Sequence, residues 1–336
     1  MSEQNIRKLN LVIEELQTNY QKYFDFFEKP QLIPTAYFER PHSFIWKYII
    51  DGNSTRKSIY IKIHKKTRTR EDCKVEYEIL KSLYAAFDQY PLYSVVKPVA
   101  CFSEYSIIIT EDAEGEELSD QIKQRAKHVS LDQTKFMELA KYCYSTGEWL
   151  RIYQSVTKKT QRTTLRECGL MESVLEALKH WDELGINSGI KFHIIHHFEQ
   201  AISKLGCEMI EMGGQHGDFV PFNVIVSHDR IILCDFPRCR NGAIYYDVAR
   251  FYSALLTFPK NPLYNSKKIE QLLNLFIDGY RKDIDFSYEM FNLFVIYHMV
   301  ISLHLEESLS GNTLFQKCYR RRVISFYLQW FREKCK

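Results

Sequence analysis

Three strand-like runs, SFIWKYII (43–50), SIYIKIH (58–64) and SIIIT (106–110), crowd into the first third of the chain. Turn-forming stretches bound them, and a single helical pattern, REDCKVEYEILKSLYAAF (70–87), interrupts them. From about residue 130 the apolar period lengthens, as in FMELAKYCYSTGEWLRIYQSV (136–156) and SVLEALKHWDEL (173–184). A chain that changes from period 2 to period 3.6 in this way predicts an α+β fold, with a small β-rich N-terminal part and a larger, mainly helical C-terminal part. The division expected is 1–112 and 113–336, with the junction near TEDAEGEEL (110–118). At 336 residues, both parts have room for a core.

Charge and cysteine usage narrow the function classes. The formal net charge of +3 is too small to argue for nucleic-acid binding. The opening MSEQNIRKLNLVIEELQTNY has no apolar signal core, and MFNLFVIYHMVISLHL (290–305) is broken by Asn292, His298, Ser302 and His304. The second stretch is therefore expected to be a buried helix rather than a membrane span. Nine scattered cysteines without a C-x-x-C pair suit reduced thiols and a cytoplasmic location. The basic, aromatic C-terminal stretch KCYRRRVISFYLQWFREKCK is expected to pack Val323, Phe326, Tyr327 and Trp330 on its own domain, with membrane-surface contact as the minor alternative. His193, His196 and His197 read as helix surface, since no H-E-x-x-H accompanies them.

The chemistry concentrates in HGDFVPFNVIVSHDRIILCDF (216–236). VIV and IILC, separated by SHDR, predict a hairpin. Asn223 stands before its first strand and Asp235 after its second, so both are expected at its open end. Asp218 is close enough in sequence to reach the same end. An amide oxygen and a carboxylate are hard ligands that suit Mg²⁺. A further carboxylate can accept the proton of an attacking hydroxyl, which is the division of labour in kinase phosphoryl transfer. No other later strands are evident in the sequence.

HGDFVPFN followed by CDF, and then GAIYYDVARF, resembles the catalytic signature of aminoglycoside phosphotransferases and their choline-kinase-like relatives. The resemblance implies a two-lobed, protein-kinase-like fold. Asp218 would be the catalytic base, Asn223 and Asp235 the metal ligands, and His216 and Asp247 structural supports of the catalytic loop. It implies Mg²⁺ and ATP as cofactors, with GTP as the alternative nucleotide. Such a site also needs a strand lysine on the nucleotide phosphates and a helix glutamate to hold it. Strand alternation sets Lys62 opposite Ile59, Ile61 and Ile63, and Glu76 lies beside the buried stripe of its helix at Leu80 and Leu83, whereas Glu78 lies on the polar side. IIITEDAEGEEL resembles the family's connection between lobes, which implies that the backbone of Glu111, Asp112 and Ala113 meets the adenine.

Two departures matter. No G-x-G-x-x-G occurs where the phosphate loop is expected; Pro41, His42 and Ser43 stand there. STGEWLRIYQSV resembles the family's helix beneath the catalytic loop but carries Tyr153 and Gln154 where many members have His, so it is taken as core helix. The expected activity is phosphoryl transfer to a hydroxyl of a small molecule. The absence of a marked acidic run beyond 111–117 favours a sugar or glycan over a polycationic drug. The alternatives are a catalytically silent nucleotide-binding scaffold and an aminoglycoside, choline or ethanolamine kinase.

Overall fold

A computed structural model of the chain describes residues 3–25, 28–52, 55–65, 69–158, 160–181, 186, 188–236, 239–281, 289–306 and 314–335. It divides into two compact units. The first comprises Met1–Glu116 and Ile225–Cys239, and the second Glu117–Val224 and Arg240–Lys336.

In the first unit, helix α1 (Glu3–Thr18) precedes strands β1 (Gln31–Glu39), β2 (Ser43–Gly52) and β3 (Thr55–His64). Helix α2 (Arg70–Ala86) follows, then β4 (Tyr93–Val95), β5 (Pro98–Phe102), β6 (Ile107–Glu111) and β7 (Glu116–Glu117). Five strands form one sheet in the order β1-β2-β3-β6-β5, with every pairing antiparallel. Alternation sends Ile59, Ile61 and Ile63 of β3 into a core with Trp46, Tyr48, Ile107 and Ile109, which Leu9, Val12 and Leu16 of α1 join. Lys62 lies on the other face of the same strand. Thr69 and Asp72 cap α2 reciprocally: Thr69 Oγ1 accepts from the Asp72 amide at 3.1 Å, and Asp72 Oδ2 from the Thr69 amide at 2.8 Å. Such a capping box stabilises a helix start by about 1 kcal/mol and here sets the register of Glu76, one turn on.

The predicted hairpin is β10 (Val224–Ser227) and β11 (Arg230–Leu233), which complete a second sheet in the order β4-β11-β10-β7. Its two-residue turn, His228 and Asp229, has φ of 45° and 66°, the left-handed pair that matches the twist of a tight hairpin.

The second unit is mainly helical: α3 (Leu118–Arg125), α4 (Gln133–Val156), α5 (Leu170–Lys179), α6 (Ser188–Leu205), α7 (Tyr245–Leu256), α8 (Ser266–Tyr280), α9 (Glu289–Glu306) and α10 (Leu314–Lys334). α4 packs on α8 where Gly147 and Gly279 let the backbones meet; a Cβ on either would strike backbone of the facing helix. α10 buries Val323, Tyr327 and Phe331 in this unit and leaves Arg320, Arg321 and Arg322 exposed. No helix among the described residues is long and apolar enough to cross a membrane, and all nine cysteines are free thiols.

One expectation fails here. The second unit also holds a three-stranded sheet in the order β12-β9-β8, built from β8 (Arg162–Thr164), β9 (Met209–Gln215) and β12 (Arg240–Ala243). The β9 segment, MIEMGGQ, lacks β-branched alternation and has two glycines. It is a strand because partners on both sides take its backbone hydrogen bonds, not because of local propensity. The predicted helix 173–184 is α5 as far as Lys179; residues 182–185 lie outside the described residues.

Candidate active site

The candidate residues form two clusters, one in each unit. In the first, Lys62 reaches from β3 to α2 and to the segment after β11. Its Nζ lies 3.1 Å from Glu76 Oε1 and 2.5 Å from Asp235 Oδ1. Glu76 is buried, and its second oxygen, Oε2, lies 3.3 Å from His64 Nε2. Burial alone would push the Lys62 ammonium down, but the carboxylates of Asp235 and Glu76 outweigh it and hold the pKa above lysine's ordinary value. Burial likewise favours the neutral form of Glu76, and the charge of Lys62, with His64 beside it, overrides that and lowers its pKa. The result is a charged triad rather than three neutral groups. Asp235 holds a left-handed backbone, φ 65°, and its side chain is 41% exposed. Asx residues tolerate this region better than other side chains with a Cβ.

At the connection after β6, the amides of Glu111 and Asp112 are already engaged, donating to the carbonyls of Lys97 and Ser58 at 2.9 and 2.8 Å. Their side chains are engaged as well, Glu111 with Lys97 at 2.8 Å and Asp112 with Lys47 at 2.5 Å.

In the second unit, the pairing of β9 with β12 sets Gln215 opposite Arg240. That register brings the loop after β9 to the start of α7. Asp247, wholly buried, accepts from the His216 amide through Oδ2 at 2.6 Å and from the Gly217 amide through Oδ1 at 3.0 Å. Gly217 has φ 81°, which a side chain with a Cβ would resist. Burial raises the Asp247 pKa to about 7, with the two amides pulling against it. His216, also wholly buried, accepts at Nδ1 from the Asp218 amide at 3.3 Å, so its ring proton is on Nε2. Asn223 donates through Nδ2 to the Asp218 carbonyl at 2.9 Å, which fixes the flip of its amide and assigns Oδ1 to any ligand role. Phe219 anchors the loop from below. It is fully buried, stacks on Trp149 of α4 at 5.7 Å, and touches Phe251 and Phe276.

The sequence-family model that fits this chain describes the phosphotransferase enzyme family and matches residues 47–283. The chain belongs to that family. Solved kinases share the α+β fold of this phosphotransferase. An amicoumacin kinase in complex with AMP-PNP, Ca²⁺ and Ami is 15% identical, with 94% of this chain and 93% of that chain covered at TM-score 0.58. A choline kinase from Streptococcus pneumoniae is 16% identical, covering 96% and 99% at TM-score 0.52. A Plasmodium vivax ethanolamine kinase is 14% identical, covering 95% and 88% at TM-score 0.57. A search of the curated proteins finds no match.

Two further residues of the phosphotransferase, Arg250 and His64, stand in these clusters without having been singled out in the sequence, and Gln154, read there only as core helix, has a supporting task beside them. Arg250 of α7 donates to Asp218 Oδ1 from Nη2 at 2.9 Å and from Nε at 3.3 Å. The signal was available, since Arg250 is three residues past Asp247 and so shares its helix face. His64 is visible only as an alternate position on β3, the same face as Lys62. Gln154, where many relatives carry His, donates to the Ile244 carbonyl at 2.9 Å and accepts from Tyr280 Oη at 2.5 Å. It ties α4 to α8 and to the residue that leads into α7, a supporting task that no local pattern announces.

Proposed function

We propose that this phosphotransferase moves the γ-phosphate of ATP to a hydroxyl of a small molecule in the cytoplasm, with a sugar or glycan as acceptor. The observation that carries this reading is the Lys62–Glu76 ion pair with Asp235 on the same ammonium: three charged groups from distant segments, kept ionised although partly or wholly buried. Lys62 would engage the nucleotide phosphates while Glu76 braces it. The engaged amides of Glu111 and Asp112 direct any adenine contact to the carbonyls of 111–113 and the Ala113 amide. Asp218 would take the proton of the acceptor hydroxyl, with His216 and Asp247 holding its backbone. Asn223 Oδ1 and the half-exposed Asp235 carboxylate are hard oxygen donors of the kind Mg²⁺ takes, and both fit a ligand role. Bound Mg²⁺ would neutralise phosphate charge. The protein's own contribution is to orient the reactants and hold the proton acceptor. The acceptor class rests on the lack of an acidic run of the kind a polycation would need.

A thermal melt with Mg²⁺-ATP or Mg²⁺-GTP tests the nucleotide site. Ligand at about 100 times its Kd stabilises by roughly 2.7 kcal/mol, a rise of several degrees in Tm. Asp235→Asn, which retains the tolerance for a left-handed backbone, should lose the magnesium-dependent part. Asp218→Asn should keep the shift and lose phosphoryl transfer in a screen of sugars, aminoglycosides and amino alcohols. No shift with either nucleotide in the wild type would leave a scaffold instead.

A further inference from the structure

We propose that Arg250 is a positioning residue for proton transfer, holding Asp218 by one carboxylate oxygen so that the other faces the acceptor hydroxyl. The inference rests on the reading of Asp218 as the base. Both guanidinium contacts fall on the same atom, Oδ1, from Nη2 at 2.9 Å and Nε at 3.3 Å. Oδ2 receives no bond from this fork and is the oxygen available to take a proton. Arg250 is the more enclosed partner, its side chain 15% exposed against 32% for Asp218. A guanidinium held this way resists rotation of the carboxylate more than a lysine would, because its fork is planar and preformed.

α7 thus grips the loop twice: Asp247 takes the amides of His216 and Gly217, and Arg250 takes the side chain of the next residue. His298 of α9 lies close enough to Arg250 to feel its charge. It is buried, and its Nε2 lies 2.9 Å from the Tyr246 carbonyl, so Nε2 carries the proton and the buried Nδ1 lone pair has no hydrogen-bond partner among the described residues. Burial, and then the Arg250 charge, keep this imidazole neutral. A neutral ring there adds no second charge to draw the guanidinium from Asp218.

In the step itself the acceptor oxygen bonds to the γ-phosphorus, the bond from that phosphorus to the bridging oxygen breaks with its electrons leaving on ADP, and the hydroxyl proton passes to Asp218 Oδ2. The test uses full-length protein, Mg²⁺-ATP and water as the acceptor, and measures phosphate release. Arg250→Ala should lower kcat by roughly 100-fold while the KM for ATP stays within about twofold. Millimolar guanidinium should restore about tenfold of that loss and leave Asp218→Asn inactive. Arg250→Lys, which keeps the charge without the fork, should remain about tenfold below wild type. A merely structural role would lower Tm and ATP affinity together and give no response to guanidinium. Wild-type kcat in Arg250→Lys, or a loss in Arg250→Ala that guanidinium does not relieve, overturns the proposal, and the lysine variant decides if the alanine variant does not fold. Inactive Asp218→Asn beside fully active Arg250→Ala would remove the positioning role alone. Active Asp218→Asn would remove the base, and this role with it.

Discussion

In the first unit a cation is held by carboxylates, Lys62 between Glu76 and Asp235, on a strand and a helix whose registers are set by an isoleucine core and a capping box. In the second a carboxylate, Asp247, is held by main-chain amides, over a loop pinned from below by Phe219 in an aromatic stack. The first arrangement depends on charge: removing Lys62 leaves the buried Glu76 and the half-exposed Asp235 without their cation. The second depends on packing and backbone geometry, and its charged form is itself disfavoured by burial. The first cluster should therefore fail when a charge is deleted, and the second when volume is deleted or a proton is removed.

The largest test of that contrast is Phe219→Ala. Truncating a fully buried phenylalanine should cost about 4 kcal/mol, read as a lower urea midpoint. A cost near that of a surface substitution would mean the loop is held by its hydrogen bonds alone. Next comes Lys62→Met, which preserves most of the volume but leaves Glu76 buried beside His64. About 3 kcal/mol of stability should be lost, together with the ATP-dependent Tm shift. Unchanged stability would show that Glu76 simply takes up a proton.

The third effect is spread over pH. Asp247 has a folded pKa raised to about 7, against about 3.9 for an unfolded aspartate. The folded chain then holds a proton that the unfolded chain has released. Stability from this group is fully present below the unfolded value and is lost as pH rises through 7. The slope is at most about 1.4 kcal/mol per pH unit. Wild type should lose stability relative to Asp247→Asn between about pH 4 and 7 and run parallel to it above. Parallel curves throughout would mean the two amides keep the carboxylate ionised and burial does not win.

Much of the first cluster was legible because regular alternation carries it. Ile59, Ile61 and Ile63 declare the buried face of β3, which leaves Lys62 on the other, and the leucine stripe of α2 separates Glu76 from Glu78. The hairpin was legible for the same reason, two apolar runs around a polar turn. β9 and β12 were not, because glycine and methionine give a strand no local signature and the pairing is fixed by residues about 30 positions apart. Gln154 was illegible for a different reason: its partners, Ile244 and Tyr280, lie about 90 and 126 residues away.

The segment Ile225–Cys239 belongs to the first unit although the chain reaches it only after building much of the second. On a ribosome this has a temporal consequence. Glu116 emerges while 123 residues separate it from Cys239, a delay of roughly 6–25 s at about 5–20 residues per second. During that interval β4 lacks β11, its partner in the second sheet, and Lys62 lacks Asp235. The nascent first unit waits with an open sheet edge, so its completion is timed by translation rather than by its own collapse.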